Sequence, residues 1–425
     1  MARSTLDHPL PSGMRDLLPP ETIARRAIAR AFLGRAELCG YEPVSLPAIE
    51  YAETIERGLG TLDPQEIVRF VEPETGEVVA LRPDVTPQIA RLVATRLASR
   101  PGPYRLAYDA SVLRRRAGSR ARTHRQIPQI GVELIGVPGP DGDLELWVLA
   151  AEALAAMGLR AFTLDVGHAE VARALLARLP PAHAGELAEA LAAKDVAAVA
   201  RLAAAVEPAV RDALIALPTL HGPPALLDAL PPCLTDGPAA PAIAALRALV
   251  TALTASLRAR SIDSVTVAVD LGEVRGHAYY TGPFFQLFAE GPGTPIGGGG
   301  RYDGLLGRFG RALPATGLAL DVDALTWALH TAGSTLLRAP GRCVIVEGPR
   351  AQELADRVRA REVPAVLVPA ADAEAYARAW GYGTLARVDG DRVVLTALEA
   401  PALAGEPLSI DAALATIERR AAGLA

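Results

Sequence analysis

Four groups of residues carry chemistry in their types and spacing. In the segment LRPDVTPQIARL an acid and a hydroxyl, Asp84 and Thr86, stand two apart where a strand-like run meets a helical one. Either can cap the helix that follows, and the same carboxylate can hold a substrate ammonium; the residues alone leave both readings open. A run of arginines comes next, Arg114, Arg115, Arg116, Arg120, Arg122 and Arg125, followed by Gln126, Gln129 and Glu133. Such a run is either a solvated loop or a clamp for phosphate or carboxylate, for which planar guanidinium groups suit bidentate contact. Arg114, Arg116 and Arg125 are therefore candidates for a phosphate or partner contact.

Strand alternation in QIPQIGVELIG places Gln129, Gly131 and Glu133 on one face and Ile130, Val132 and Leu134 on the other. A polar row on a sheet surface is costly unless it meets ligand, water or partner groups. In VRGHAYYTGPFFQLF, Arg275 lies close to Tyr279 and Tyr280; paired aromatics at strand spacing are usually core, but a buried Arg275 needs an anion. The run GGGGRYDGLLGRFG reads as a polyglycine turn that lets backbone approach a flat ligand. It lacks the spacing of a dinucleotide or P-loop fingerprint.

The elements that must position these residues follow from periodicity. Residues 21 to 39 read as an amphipathic helix after Pro19 and Pro20. From 41 to 135, short apolar or alternating runs separated by turn residues predict antiparallel hairpins, interrupted by one helix at 85 to 99. A helix is expected over 143 to 157, then the strand FTLDVGH and several short Ala/Leu helices up to 260. VTVAVDLGEV, YYTGPFFQLFAE and ATGLALDVDAL predict a second group of strands. Strands on both sides of a helical stretch imply one α+β domain over 1 to 330, with a helical insertion near 180 to 260. Beyond 341, strand and helix alternate to the end, predicting a small α/β domain after a linker.

Composition bounds the function classes. The chain has 425 residues, half of them hydrophobic and a fifth charged, enough for two or three packed domains rather than disorder. A net charge of -5 argues against whole-surface affinity for nucleic acid. Cys39, Cys233 and Cys343 are far apart, with no CxxC or Cys/His spacing, so neither a disulfide framework nor a metal site is indicated. No secretory signal or uninterrupted apolar span is evident, and a reducing cytoplasm fits best.

Taken in order, GMRDLLPPE (13 to 21), LRPDVTPQ (81 to 88), QIGVELIG, RGHAYYTG (275 to 282) and GGGGRYDGLLGRFG (297 to 310) resemble the histidyl-tRNA synthetase family. The resemblance spans 13 to 325. It implies a class II aminoacyl-tRNA synthetase-like antiparallel sheet flanked by helices, with a helical insertion and a dimeric state. It also implies that Asp84, Thr86, Gln129 and Glu133 surround the ammonium and imidazole of histidine, with Arg275, Tyr279 and Tyr280 facing the same ligand.

The nucleotide side departs from that family. Its second motif begins Phe-Arg-x-Glu, whereas here Leu113-Arg114-Arg115-Arg116 puts an arginine in place of the acid, in a loop one residue longer than usual. Its third motif ends Gly-Leu-Glu-Arg, whereas here the chain reads Asp321-Val322-Asp323-Ala324. Adenylation builds charge on the α-phosphate, and losing one cationic donor there costs about 3 to 4 kcal/mol.

In these departures the chain resembles the ATP phosphoribosyltransferase regulatory subunit branch. That resemblance implies a subunit that is not itself an enzyme, carries no cofactor or metal, joins a short catalytic subunit as a homodimer within a hetero-oligomer, and conveys feedback inhibition by free histidine without handling tRNA or a membrane. The C-terminal domain would be a reduced anticodon-binding-like remnant. The rivals are an active histidyl-tRNA synthetase and an ATP-dependent ligase for another acceptor.

Overall fold

The computed structural model describes residues 10–59, 67–115, 124–274, 280–337, 341–346, 348–398 and 405–421. The chain divides into two units, Met1–Leu337 and Arg338–Ala425.

The first unit begins with α1 (Pro19–Leu38), which starts on its proline pair and turns Ala24, Ile28, Phe32 and Ala36 inward at helical spacing. It continues through β1 (Glu42–Pro43), β2 (Ile49–Tyr51), α2 (Ala52–Leu59), β3 (Arg69–Val71), β4 (Val78–Leu81), α3 (Thr86–Thr95), β5 (Tyr104–Leu113) and β6 (Gln126–Ile135). Next come α4 (Asp141–Ala156), β7 (Phe162–His168), α5 (Ala169–Leu176), α6 (Pro181–Ala192), α7 (Val196–Leu202), α8 (Pro208–Ala216), β8 (His221–Gly222), α9 (Pro232–Thr235) and α10 (Ala240–Ala259). The unit ends with β9 (Val265–Asp270), β10 (Pro283–Ala289), β11 (Gly297–Arg301), β12 (Ala315–Asp321) and α11 (Val322–Thr331).

Nine strands make one sheet in the order β1-β5-β6-β12-β11-β10-β7-β9-β8, while β2, β4 and β3 pair separately. The large sheet is antiparallel except where β1 meets β5 and β7 meets β9. It is therefore an α+β fold, a mainly antiparallel sheet with helices packed against it, as the sequence leads one to expect.

Three sequence expectations change. GGGG is not a turn: Gly297–Arg301 is strand β11, paired on both sides. ATGLALDVDAL is strand only to Asp321, because the Asp321 carboxylate accepts from the Asp323 and Ala324 N–H groups and starts α11. The helical stretch between β7 and β9 also lends the sheet an edge strand, β8.

The two sheet faces differ sharply. Ile130, Val132, Leu134, Leu318, Leu320, Phe285 and Leu164 share one core cluster with Leu146, Trp147 and Leu154 of α4 and with the buried side of α10. Trp147 meets Phe285 edge to face at 5.9 Å. α10 is long and apolar enough by composition to cross a membrane, but Ile243, Leu246, Leu253 and Leu257 pack into this core.

At the end of β11, Arg301 turns toward this packed face. It is only 4% exposed, donates from Nε to both Asp143 carboxylate oxygens at 3.0 and 2.9 Å, and reaches Asp303 and the Val137 carbonyl. Gly142 and Gly282 leave room for it, since an added Cβ at either would sit 3.0 to 3.2 Å from the guanidinium arm. The next residue, Tyr302, faces the opposite side of the sheet, so the ion pair sets the register on which the site depends.

The second unit runs β13 (Cys343–Val346), α12 (Ala351–Arg359), β14 (Ala365–Val368), α13 (Ala373–Ala379), β15 (Thr384–Asp389), β16 (Arg392–Ala397), β17 (Leu408–Ser409) and α14 (Ile410–Ala421). Its sheet order is β14-β13-β15-β16-β17, with β14, β13 and β15 parallel.

Removing one partner of a buried ion pair leaves the other uncompensated, which costs about 3–5 kcal/mol, whereas an exposed pair contributes at most about 1 kcal/mol. Arg301→Leu should therefore lower stability in urea unfolding by the larger amount. Arg57→Leu, which breaks the exposed pair with Glu53, should stay within the smaller. Equal effects would show that Arg301 does not hold the sheet.

Candidate functional site

Opposite the packed face, the sheet surface carries few large side chains, and its β5–β6 end is covered by α3 and by Tyr302, Leu305 and Leu306. Strand pairing sets Gln129, Gly131 and Glu133 of β6 beside Ala110, Tyr108 and Leu106 of β5 and beside Asp321, Ala319 and Gly317 of β12. The row through Glu133 continues to Gly300, Phe284 and Gly167, and the row through Gly131 continues to Gly298, Gln286 and Asp165. Glycines thus pave the floor on which the functional side chains lie. A methyl group on Gly317 would overlap the Glu133 carboxylate, one on Gly131 would overlap the Tyr108 hydroxyl, and one on Gly167 would reach the Phe284 ring at 2.5 Å.

Glu133 stands at the centre and is 1% exposed. Thr86 Oγ1, from the first turn of α3, donates to its Oε1 at 2.7 Å, and the Tyr302 hydroxyl donates to its Oε2. Burial pushes this carboxyl up to about 8; the two hydroxyl bonds hold it down, and Asp84 raises it further. The group is therefore poised to exchange a proton with a ligand near neutrality. Tyr108 is also buried, and burial, then the charges of Glu133 and Asp84, drive its phenol well above its usual range.

Asp84 accepts from the Thr86 N–H at 3.1 Å. It thus holds the N–H at the start of α3, as the capping reading expects, and adds negative charge beside Glu133 and Tyr108. Tyr280 stacks on Phe284 with centroids 6.2 Å apart and an interplanar angle of 5°, and its proximity also helps to raise the Tyr108 phenol. Gln129 is half-buried on the same face, two residues along from Gly131. Asp84, Thr86, Gln129, Glu133 and Tyr280 thus share one face of one sheet. Arg275, Tyr279 and Arg116 lie outside the described residues, as do Arg120 and Arg122.

Arg114 and Arg125 close the end of the β5–β6 hairpin. The Arg114 N–H bonds the Arg125 carbonyl at 3.0 Å, the Arg125 Nε returns a bond to the Arg114 carbonyl at 3.0 Å, and the Arg125 N–H reaches the Gly13 carbonyl at 2.9 Å. Arg114 Nε is buried without a hydrogen-bond partner among the described residues. Nearby in the chain's third motif, Asp323 forms an ion pair with Arg15, and burial raises its carboxyl while Arg15 opposes. Ala324 is 8% exposed and belongs to the main core cluster.

Two tyrosines escaped the sequence reading. Tyr108 sits in an apolar run that looks like core, and Tyr302 follows the glycine run. The signal that could have found Tyr302 is the polar triplet Arg301-Tyr302-Asp303 directly after four strand glycines, since alternation sends its middle residue to the face opposite Arg301.

A carboxyl whose folded pKa is raised stabilises the fold below its unfolded value and loses that contribution as pH rises through the folded one. For Glu133 the window runs from its ordinary value near 4.5 to about 8. Unfolding of the wild type against Glu133→Gln should show the wild type losing stability relative to the variant across that window. A constant difference would contradict the buried carboxyl.

The chain matches the Histidyl-tRNA synthetase family model over residues 13–325. It is 43% identical over 360 residues to the ATP phosphoribosyltransferase regulatory subunit of Anaeromyxobacter dehalogenans, covering 84% of this chain and 99% of that one. It is 37% identical to the protein of that name from Moorella thermoacetica, covering 84% and 97%. A crystal structure described as an ATP phosphoribosyltransferase regulatory subunit/histidyl-tRNA synthetase from Bacillus halodurans superposes with a TM-score of 0.76 at 29% identity, covering 90% of this chain and 98% of that one. Histidyl-tRNA synthetase from Nostoc superposes with a TM-score of 0.77 at 19% identity, covering 97% and 99%, a likeness of fold alone.

Proposed function

Because the chain belongs to the ATP phosphoribosyltransferase regulatory subunit family, a histidyl-tRNA synthetase-like group, we propose that it acts in the cytoplasm as the non-catalytic partner of a short catalytic subunit. In this role it is needed for the catalytic subunit's activity, and it transmits feedback inhibition by free histidine. It works as a homodimer within the assembly and does not charge tRNA. Its second unit is a reduced anticodon-binding-like remnant.

The observation that carries this proposal is the asymmetry of the site. On one side Glu133, held by Thr86 and Tyr302 beside Asp84, offers a buried carboxyl of the kind that accepts an imidazole N–H. Asp84 and Gln129 supply acceptors for the ligand's ammonium, and Tyr280, with Arg275 and Tyr279, completes the histidine contacts. On the other side the first turn of α11 presents Asp323, already paired with Arg15, and the buried Ala324 where a cation would be needed. Charge growing on an α-phosphate therefore gains no donor from that turn. Arg114, Arg116 and Arg125 are left to meet a phosphate group or the partner subunit.

Histidine controls the partner only if it binds the two states of the assembly unequally. Mixing the chain with a short ATP phosphoribosyltransferase catalytic subunit should switch on formation of phosphoribosyl-ATP, and histidine should suppress it. A catalytic subunit unaffected by the chain would overturn the proposal.

Alone, the chain should show no histidine-dependent exchange of pyrophosphate into ATP. Ala324→Arg should not create it, and forcing that side chain into a packed position should lower stability by about 1–3 kcal/mol. Exchange by either protein would favour an active synthetase instead.

A further inference from the structure

Tyr280 stands just outside the strand ladder. β10 begins its pairing with β7 at Pro283, opposite His168, whereas Thr86 is fixed by α3, and Gln129 and Glu133 by the ladder between β5 and β12. Residues 280 to 282 are tied instead by separate bonds to three elements. The Thr281 N–H donates to the Arg301 carbonyl at 2.7 Å, the Ala169 N–H to the Gly282 carbonyl at 3.0 Å, and Arg173 Nη2 to the Tyr280 carbonyl at 2.5 Å. The first two fix the backbone beyond Tyr280, and the third grips the residue itself.

Arg173 reaches that carbonyl from an anchored base. α5 buries Val171, Ala172 and Leu175 in the main core cluster, together with Leu187 of α6, Leu214 of α8 and Leu253 of α10. The Glu170 carboxylate accepts from Arg173 Nη1 while Nη2 serves Tyr280, so two contacts orient one planar guanidinium. His168 starts the same helix by accepting from the Glu170 N–H at 3.2 Å. Burial, and then the Arg173 charge, hold its imidazole down at about 4, so no second cation competes beside Arg173 near neutrality.

The Arg173 side chain is 43% exposed, and an ion pair at such a place adds little to stability. Its effect lies in placement. A carbonyl and the Cα–Cβ bond of its own residue are one torsion apart, so fixing the first narrows the range of the second. We infer that Arg173 is a positioning residue for the histidine pocket: by holding the Tyr280 carbonyl it keeps the Tyr280 ring stacked on Phe284, and it ties that wall of the pocket to the helices of the insertion. This rests on the histidine pocket proposed above.

Fluorine NMR of the full chain labelled with 3-fluorotyrosine, with the Tyr280 signal assigned by Tyr280→Phe, reads the ring with or without ligand. In Arg173→Met that signal should move toward the position of an exposed tyrosine, while the signal of Tyr41, which bonds Glu145, should stay. Calorimetry should show histidine affinity falling about three- to tenfold in Arg173→Met, the range for one hydrogen bond, and largely restored in Arg173→Lys, which keeps a donor. In a Tyr280→Ala background, Arg173→Met should change affinity by less than about twofold, because its effect passes through the ring. An unmoved Tyr280 signal overturns the inference, as does an affinity loss of the same size with and without the Tyr280 ring. If the wild type binds no histidine, the pocket reading fails, and the fluorine result still decides whether Arg173 places Tyr280.

Discussion

The buried carboxyl of Glu133 is the constraint around which the first unit is arranged. A carboxyl removed from water needs donors on both oxygens, and here they come from two distant segments: Thr86 at the start of α3 and Tyr302 just beyond β11. Neither can be moved without leaving that group unsatisfied. The entry angle of α3, the end of β11 and the position of β6 between β5 and β12 are therefore set together. Arg301 fixes Tyr302 from the opposite face through Asp143 of α4, so the packed core and the site share one mechanical link.

Glycine makes the arrangement possible. Side chains long enough to lie across a sheet need empty neighbours, and Gly131, Gly317 and Gly167 supply them beside Tyr108, Glu133 and Phe284. The opposite face is filled mainly by branched aliphatic and aromatic residues. One sheet thereby separates a close-packed core from a floor built on glycines. The floor extends across the sheet from Glu133 to Asp165.

Much of this was legible from periodicity. The strand FTLDVGH, the helix beginning near 143 and the in-out alternation of Gln129, Gly131 and Glu133 need only the local pattern, and each element lies where the pattern puts it. The glycine run misled because four glycines have no alternation to read, and only pairing with β10 and β12 makes them a strand. Tyr108 was hidden for the opposite reason, since an aromatic between Ala107 and Asp109 gives no sign that its hydroxyl crosses the sheet. The helix after Asp321 turned on a capping bond within a stretch whose first half is strand. The Lys194–Asp270 pair joins residues 76 apart in sequence, beyond the reach of any local pattern.

In the proposed function, the Glu133 half of the site together with Ala324 in the other half separates a sensor of histidine from an enzyme that activates it. Calorimetric titration of histidine into the nucleotide-free chain measures this most directly. The account predicts saturable binding at one site per chain, unchanged by ATP and weakened at least about tenfold in Glu133→Gln. Histidine binding that requires ATP, or that survives intact in Glu133→Gln, would contradict it.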